Sequence, residues 1–159
     1  MNHSIEISYA QEQLMSQLIL LGAEKGRFLG AYFAMQGKER LEMDEWLSLY
    51  TEKVQQLLSE PDIVLEEELH SLVLIGSQIT IEYPEYETKD SFTIVLPEQA
   101  NPDDNLISFL SPVGRQLLLA RLGELISVTT PAGAMHVIIT SITFAENSFS
   151  GGGGATSGS

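Results

Sequence analysis

The side chains in this sequence that are best suited to chemistry are four closely spaced acids, Glu39, Glu42, Asp44 and Glu45. Carboxylate oxygens are the ligands that Mg²⁺ prefers, and a metal ion makes its bound water a better nucleophile. Acids are also common at an exposed helix start, where they interact favourably with the positive end of the helix dipole. The four acids therefore predict either metal-assisted chemistry or a charged helix end, and their spacing does not separate the two.

The remaining residue types exclude several kinds of site. The chain has no cysteine, which excludes disulfides, thiolate-ligated zinc and thiol catalysis. Its three histidines, His3, His70 and His136, are far apart and lack neighbours at metal-ligand spacing. No glycine-rich phosphate-binding loop precedes residue 151. We expect no intrinsic metal site and no intrinsic cofactor.

The charge of the chain limits its partners. The sequence has 22 acidic and eight basic residues, and its formal net charge is −14. This balance argues against binding nucleic acid or an anionic membrane by bulk electrostatics, because such binding needs many Lys and Arg residues. No apolar run reaches the ~18 residues of a membrane span, and the first residues do not resemble a signal peptide. We expect a cytoplasmic protein without membrane contact.

Two helices are expected to carry the four acids. Heptad spacing over residues 8–36 predicts a first helix, begun by a capping box of Ser8 and Gln11 and ended by Gly37. The same spacing up to Pro61 predicts a second helix, capped by Asp44. A short polar connection makes them an antiparallel coiled-coil hairpin over residues 1–62. The predicted seam residues are Leu14, Leu18, Leu21, Lys25, Phe28, Tyr32 and Met35, then Met43, Leu47, Tyr50, Val54 and Leu57.

The second half of the chain predicts a different kind of unit. After an acidic linker at 63–72, apolar residues alternate near 79–83, 92–96, 126–128 and 137–139, which indicates strands. Ser111 and Pro112 predict a helix start, with Gly123 as the helix end. The PAGA segment at 131–134 predicts a hairpin turn. We therefore expect an α+β chain, with a small antiparallel β domain and one helix over 73–150 and a flexible Gly/Ser tail at 151–159.

The order of these elements resembles the bacterial Gre transcript-cleavage factors. The resemblance is carried by short motifs in the second half, which follow one another in the family's order and at approximately its spacing. These motifs are Gly76-Ser77, Ile107-Ser108, Ser111-Pro112, Leu117-Leu118, Gly123 and Pro131-Ala132-Gly133. The resemblance covers residues 73–144, and the hairpin agrees with the family in architecture only.

This resemblance implies a role for each unit. The second domain would be FKBP-like and would dock on RNA polymerase at the rim of its secondary channel, while the hairpin would enter that channel. The chain itself would not be an enzyme. The family's docking contacts lie at the loop that contains Ser111 and Pro112 here, so the candidate partner-binding residues are Leu110, Ser111, Pro112 and Arg115. Leu110 is either an exposed apolar anchor for the partner or a core residue.

The hairpin tip is where this sequence departs from the family. Members that stimulate cleavage carry tip acids that help hold Mg²⁺ in the polymerase active site, and their tip motif is absent here. The resemblance therefore implies a non-cleaving or inhibitory homologue, with only indirect contact with nascent RNA. The alternative is a cleavage-stimulating factor that presents Glu39, Glu42, Asp44 and Glu45 to the polymerase's magnesium.

Two alternatives from other classes stay open. A coiled-coil interaction module unrelated to transcription would also explain the hairpin. A prolyl isomerase would explain an FKBP-like domain. The second domain, however, lacks the tryptophan that lines the pocket of classical members, since the only tryptophan, Trp46, lies in the hairpin.

Overall fold

The computed structural model describes the backbone of residues 2–32 and 37–144, and the side chains of residues 7–23 and 41–144. The predicted seam residues Lys25, Phe28, Tyr32 and Met35 lie outside the described side chains, as does the tail at 151–159. The chain divides into two units, residues 1–66 and residues 67–159. Within the described helices, no segment is long and apolar enough to cross a membrane.

The first unit contains two long helices, α1 at Asn2–Tyr32 and α2 at Gly37–Leu58. Both begin earlier than the sequence predicts. Ser8 lies inside α1 and Asp44 lies inside α2, so the prediction that these residues cap the helices is wrong. A capping side chain is needed only where the preceding backbone is not helical, and here helical residues precede both positions. Gly37, predicted to end the first helix, is the first residue of α2.

A seam of buried side chains joins the two helices. On α2 it consists of the predicted residues, which are confirmed. On α1 the predicted residues Leu14 and Leu21 are buried, and Leu18 is half-buried and lines a groove with Leu47 and Thr51 of α2. Gln17, which the sequence does not predict as a seam residue, is also buried, and its Oε1 accepts a hydrogen bond from Tyr50 Oη at 2.6 Å. The described seam residues are Ile7, Ala10, Leu14, Gln17 and Leu21 on α1, and Met43, Leu47, Tyr50, Val54 and Leu57 on α2.

A third helix, α3 at Asp62–Leu69, occupies most of the segment for which the sequence predicts a linker. The N–H groups of Val64 and Leu65 donate to the Pro61 carbonyl oxygen, each at 3.0 Å, and these bonds close the first turn. Leu65 and Leu69 are both buried and are spaced by one helical turn. Burial of these two leucines explains why an acidic segment is helical here.

The second unit is built on a five-stranded sheet. The predicted strands are confirmed, and the predicted hairpin turn is present at residues 131–132. The prediction of a wholly antiparallel sheet is wrong, because residues 106–108 pair in parallel with residues 93–95. Apolar alternation identifies a strand and contains no information about the direction of its neighbour. The strands are β1 at Ser77–Tyr83, β2 at Thr88–Val95, β3 at Leu106–Ser108, β4 at Leu125–Thr130 and β5 at Gly133–Phe144, in the spatial order β3-β2-β1-β5-β4.

One helix, α4 at Pro112–Leu117, accompanies this sheet, so the chain is an α+β protein as predicted. The helix does not extend to Gly123, which is a correction of its predicted length. Leu119 has a positive φ of 70°, and its N–H donates to the Val73 carbonyl oxygen at 2.8 Å. Val73 N–H donates in return to the Ala120 carbonyl oxygen at 2.9 Å. The chain therefore leaves the helix in order to pair with the segment that precedes β1.

Candidate functional site

The loop before α4 holds the candidate partner-binding residues in a defined conformation. Ser111 caps the helix as predicted, because its Oγ accepts a hydrogen bond from Gly114 N–H at 3.1 Å. The same hydroxyl donates to the Ser108 carbonyl oxygen at 2.8 Å. The Oγ of Ser108 accepts a bond from Leu110 N–H at 2.9 Å. Two serine hydroxyls therefore bind the backbone on both sides of the loop and orient Pro112 in the first helical position.

Position 114 in this loop requires glycine. A Cβ atom on Gly114 would overlap the Ser108 carbonyl oxygen and would lie 3.0 Å from Ser111 Oγ. Since the overlapping atom belongs to the backbone, it cannot rotate away as a flexible side chain would. The absence of a Cβ thus allows α4 to begin directly against the last residue of β3.

Only part of the predicted partner-binding set is available at the surface. Leu110 is 6% exposed and belongs to the core, so its alternative role as an exposed apolar anchor is ruled out by burial. Pro112 is exposed, and Ser111 and Arg115 are half-buried. The surface of this loop therefore consists of a proline ring and the exposed parts of one serine and one arginine.

Gln116 is a functional candidate that the sequence analysis misses. Its Nε2 donates to the carbonyl oxygens of Pro112 and Thr129, both at 2.9 Å, and its Oε1 accepts from Thr129 N–H at 2.8 Å. One amide side chain thus joins the first turn of α4 to the edge strand β4. Glutamine is common on exposed helix faces, so its residue type contains no signal for the strand that it meets.

The described acids of the predicted tip group lie within α2, where Glu42 and Glu45, three residues apart, share one face and Asp44 lies on another. Glu42 and Glu45 are exposed, Asp44 is half-buried, and the side chain of Glu39 lies outside the described residues. Successive helical residues are rotated by about 100°, so Glu42 and Asp44 project on opposite sides of the buried Met43. The structure does not bring the described members of this group together into one cluster.

The described part of the chain contains no group of three or more His, Asp or Glu side chains placed to hold a metal ion. His136 Nδ1 lies 3.1 Å from Glu85 Oε2, and both side chains are about half exposed. His70 Nδ1 lies 3.3 Å from the Ile142 carbonyl oxygen. These two histidines interact with neighbouring groups of the C-terminal unit, and His3 lies outside the described side chains.

A small cavity in the second unit is relevant to the prolyl isomerase alternative. Its volume is about 40 Å³. Its lining contains no tryptophan, in agreement with the absence of that residue type from the second unit. The cavity is lined by Ile81, Tyr83, Val113, Leu117, Val128, Thr130, Met135 and Val137.

Tyr83, in the lining of this cavity, has a strongly perturbed hydroxyl group. Burial, followed by the hydrogen bond to Asp90 and the negative charge of that residue, raises the pKa of Tyr83 from 10.0 to about 12. The hydroxyl donates to Asp90 Oδ2 at 2.8 Å across the paired strands β1 and β2. A tyrosine that holds its proton this firmly is a hydrogen-bond donor and is poorly suited to act as a base.

Comparison with known proteins shows a similarity that lies in the second half of the chain. Residues 68–144 match the family described as transcription elongation factor, GreA/GreB, C-terminal domain. The GreA of Chloroflexus aggregans is 33% identical over 91 residues, which are 57% of this chain and 58% of that relative. The GreA of Caldanaerobacter subterraneus is 37% identical over 87 residues, which are 55% of this chain and 52% of that relative.

One solved structure extends over more of the chain. The crystal structure of GreA factor homolog 1 (Gfh1) of Thermus thermophilus is 26% identical, with a TM-score of 0.42, and the alignment covers 83% of this chain and 93% of that one. The chain spans just over half the length of the curated relatives it matches. The similarity to GreA/GreB proteins therefore lies in residues 68–144, just under half of this chain.

Proposed function

We propose that this chain regulates transcription elongation by binding RNA polymerase at its secondary channel, without stimulating transcript cleavage. The observation that carries the proposal is the match of residues 68–144 to the GreA/GreB C-terminal domain. The two helices of the first unit add a second, weaker support. At 1.5 Å per residue, the 31 residues of α1 would extend about 46 Å and the 22 residues of α2 about 33 Å, which suits insertion into a channel.

The docking surface in this proposal is the loop at Ser111 and Pro112 together with Arg115. Its backbone is fixed by the hydroxyls of Ser108 and Ser111, so little conformational entropy would be lost when a partner binds. Pro112 presents an apolar ring, and Arg115 contributes one of only three basic residues between positions 61 and 150. The C-terminal domain would recognise the polymerase through shape and this one positive charge.

The non-cleaving role is supported by where the acids lie. The segment that joins α1 to α2, FAMQ at 33–36, contains no Asp or Glu. Glu42 lies five residues after the start of α2, about 7.5 Å along the helix axis, and Glu45 lies further still. Carboxylates that assist a magnesium ion must reach it directly, because inner-sphere ligands lie at about 2 Å. Of the four acids, Glu39 alone lies in the first turn of α2, and the displacement of the other three along the helix supports the non-cleaving role.

Binding of the purified chain to core RNA polymerase is the first test. We expect a stable complex in fluorescence anisotropy, and we expect Arg115→Glu to weaken it by about tenfold through charge reversal at the contact. Lys89→Glu is the matched control, because it reverses a base of the same domain on the exposed part of β2. Failure of the unmodified chain to bind polymerase would leave the coiled-coil interaction module as the better description of this protein.

A transcript-cleavage assay on stalled elongation complexes separates the two Gre-type functions. We expect the chain to leave the cleavage rate at the level of polymerase alone and to inhibit a cleavage-stimulating relative by competition. The control is a variant with Glu39, Glu42, Asp44 and Glu45 all changed to Ala. If the chain accelerates cleavage and this variant does not, the cleavage-stimulating alternative is correct.

A further inference from the structure

The edge strand β4 has backbone groups that the rest of the described chain does not use. Thr130 pairs with Gly133 at the turn, and in an antiparallel pair alternate residues face the partner strand. Residues 126, 128 and 130 therefore direct their N–H and C=O groups toward β5. Leu125, Ser127 and Thr129 direct theirs away from the sheet, and the hydrogen bonds of Gln116 with Thr129 agree with this assignment.

Gln116 covers only one end of this free edge. Its amide bonds both the N–H and the C=O of Thr129, as a neighbouring strand would. In the part of the chain that the structure describes, no group contacts the outward N–H or C=O of Leu125 or Ser127. On the opposite edge of the sheet, Asn101 bonds Leu106 of β3 in both directions, at 2.8 and 3.0 Å. The outward backbone groups of Leu125 and Ser127 on β4 are thus without hydrogen-bond partners in the described chain, whereas those of Leu106 on β3 are paired with Asn101.

The composition of β4 does not protect this edge. Natural edge strands commonly carry Lys or Pro, which hinder pairing with another chain. The residues of β4, LISVTT, include no charge and no proline. Leu125 is 59% exposed, and Leu122, three residues earlier, is 47% exposed. The edge therefore combines unpaired backbone groups with two exposed leucines, the two components of strand addition.

We propose that the edge of β4 at Leu125–Ser127 binds an extended segment of a protein partner, which adds to the sheet as a sixth strand. The segment carries an apolar side chain that packs on Leu125 and basic residues at its flanks. The basic flanks follow from charge, since residues 61–150 contain thirteen acids and three bases, and the exposed Glu124 directly precedes the strand. This proposal goes beyond the proposed function and does not require the partner to be RNA polymerase.

The probe for the test is a phage-displayed library of random ten-residue peptides, selected on the full chain. We expect enriched sequences with alternating apolar residues and basic flanks, whose binding weakens as salt screens the charges. The affinity of the best peptide is then measured by fluorescence anisotropy. Enrichment of acidic sequences, or of none, would overturn the proposal.

Substitutions at Ser127 and at Gln116 are expected to change peptide affinity in opposite directions. Ser127→Pro removes one outward N–H without touching the β4–β5 ladder, so peptide affinity should fall by about tenfold. Ser127→Ala is the matched control, because it retains the N–H and should bind as the unmodified chain does. Gln116→Ala uncovers Thr129 and lengthens the free edge, so affinity should rise by about fivefold. Equal affinity for the Ser127→Pro and Ser127→Ala variants would contradict strand addition.

Amide hydrogen exchange on the unmodified chain, measured with and without peptide, tests the proposal even if a variant folds poorly. Bound peptide should slow exchange of the Leu125 and Ser127 amides and leave Ile126 unchanged, since Ile126 already bonds β5. No change at 125 and 127 would refute the proposal. Sedimentation provides the remaining outcome: self-association that is lost in the Ser127→Pro variant would assign the edge to a second copy of the chain instead.

Discussion

The hairpin and the C-terminal domain both contain polar side chains with defined hydrogen-bond partners, but these side chains have different roles. In the hairpin, one buried pair, Gln17 and Tyr50, interrupts a seam that is otherwise apolar. In the C-terminal domain, polar groups of Ser108, Ser111 and Gln116 bind backbone and hold a loop and a strand edge in place. The hairpin pair joins one turn of α1 to one turn of α2, whereas the domain's polar side chains shape the surface that a partner would meet.

This difference has a consequence for how the two regions tolerate substitution. A heptad seam repeats, so neighbouring registers are close in energy unless a polar pair distinguishes them. The loop before α4 has no such repeat, and each of its hydrogen bonds joins one particular pair of atoms. We therefore expect the cost of a substitution in the loop to depend on which atom it removes or crowds, and substitutions at the hairpin pair to loosen the alignment of its helices.

The largest effect is expected at the glycine that closes the loop. Gly114→Ala places a Cβ against the Ser108 carbonyl oxygen, and we expect the C-terminal unit to lose about 3 kcal/mol of its free energy of unfolding, as in overpacked cores. Gly22→Ala in α1 is the matched control, because its Cβ would meet nothing within 4 Å. That change should stabilise the hairpin by up to about 1 kcal/mol. Urea denaturation of both variants, followed by circular dichroism, measures the two effects, and equal signs would contradict this contrast.

The next effect is expected at the hairpin pair. Tyr50→Phe removes the donor and leaves Gln17 buried without that hydrogen bond, which should cost about 2 kcal/mol of hairpin stability. Combining Tyr50→Phe with Gln17→Leu should recover most of the loss, because both the donor and the acceptor of this buried hydrogen bond are then removed. Thermal unfolding of the single and double variants tests this, and a double variant as unstable as Tyr50→Phe would show that the pair is not a simple hydrogen bond.

A smaller effect is expected from the helix cap. Ser111→Ala removes the acceptor for Gly114 N–H and should destabilise the C-terminal unit by about 1 kcal/mol. Ser111→Asp is the control, since aspartate retains a capping oxygen and should preserve stability. Denaturation midpoints of the two variants measure the difference. An alanine variant as stable as the aspartate one would mean that the bonds of Ser108 alone hold the loop.

The smallest effect concerns alkaline pH. The pKa of Tyr83 is raised to about 12 in the folded chain, whereas an unfolded tyrosine titrates near 10.0. The stabilisation from this group is therefore fully present below pH 10.0 and is lost as the pH rises toward 12. Ultraviolet absorbance should show Tyr83 ionising late, and Asp90→Asn should lower its pKa. Titration of Tyr83 near its ordinary pKa in the unmodified chain would contradict the effect of burial and Asp90.

The parts of the fold that sequence reasoning predicts are those with a local cause. Ser111 and Pro112 predict a helix start because a capping oxygen and a fixed φ act within one turn, and the cap is present. The turn at 131–132 is equally local. The end of α4 is not, because Leu119 leaves the helix to pair with Val73, which lies 46 residues earlier in the chain. The residue types near position 119 do not indicate that Val73 is the hydrogen-bond partner.

The candidate site shows the same division between features with a local cause and features that depend on remote parts of the chain. Ser111, Pro112 and Arg115 are found through motifs, but the burial of Leu110 and the bonds of Gln116 depend on where the core and β4 lie. The hairpin shows the same limit, because apolar spacing predicts Leu18 as a buried seam residue and the structure buries Gln17. A glutamine enters a seam only when a donor such as the Tyr50 hydroxyl faces it, and that donor comes from another helix.

The amino-acid sequence by itself determined the helical hairpin, the strands, the capped helix start and the family resemblance of the second half, because periodicity, turn residues and motifs act over short distances. Only the tertiary structure decided the parallel direction of β3, the early end of α4, the Gln17–Tyr50 pair and the open edge of β4. Each of these depends on a hydrogen-bond partner that is remote in the chain. Whether such a partner is present decides whether a backbone or side-chain group is hydrogen-bonded. The order of residues along the chain does not by itself specify that partner.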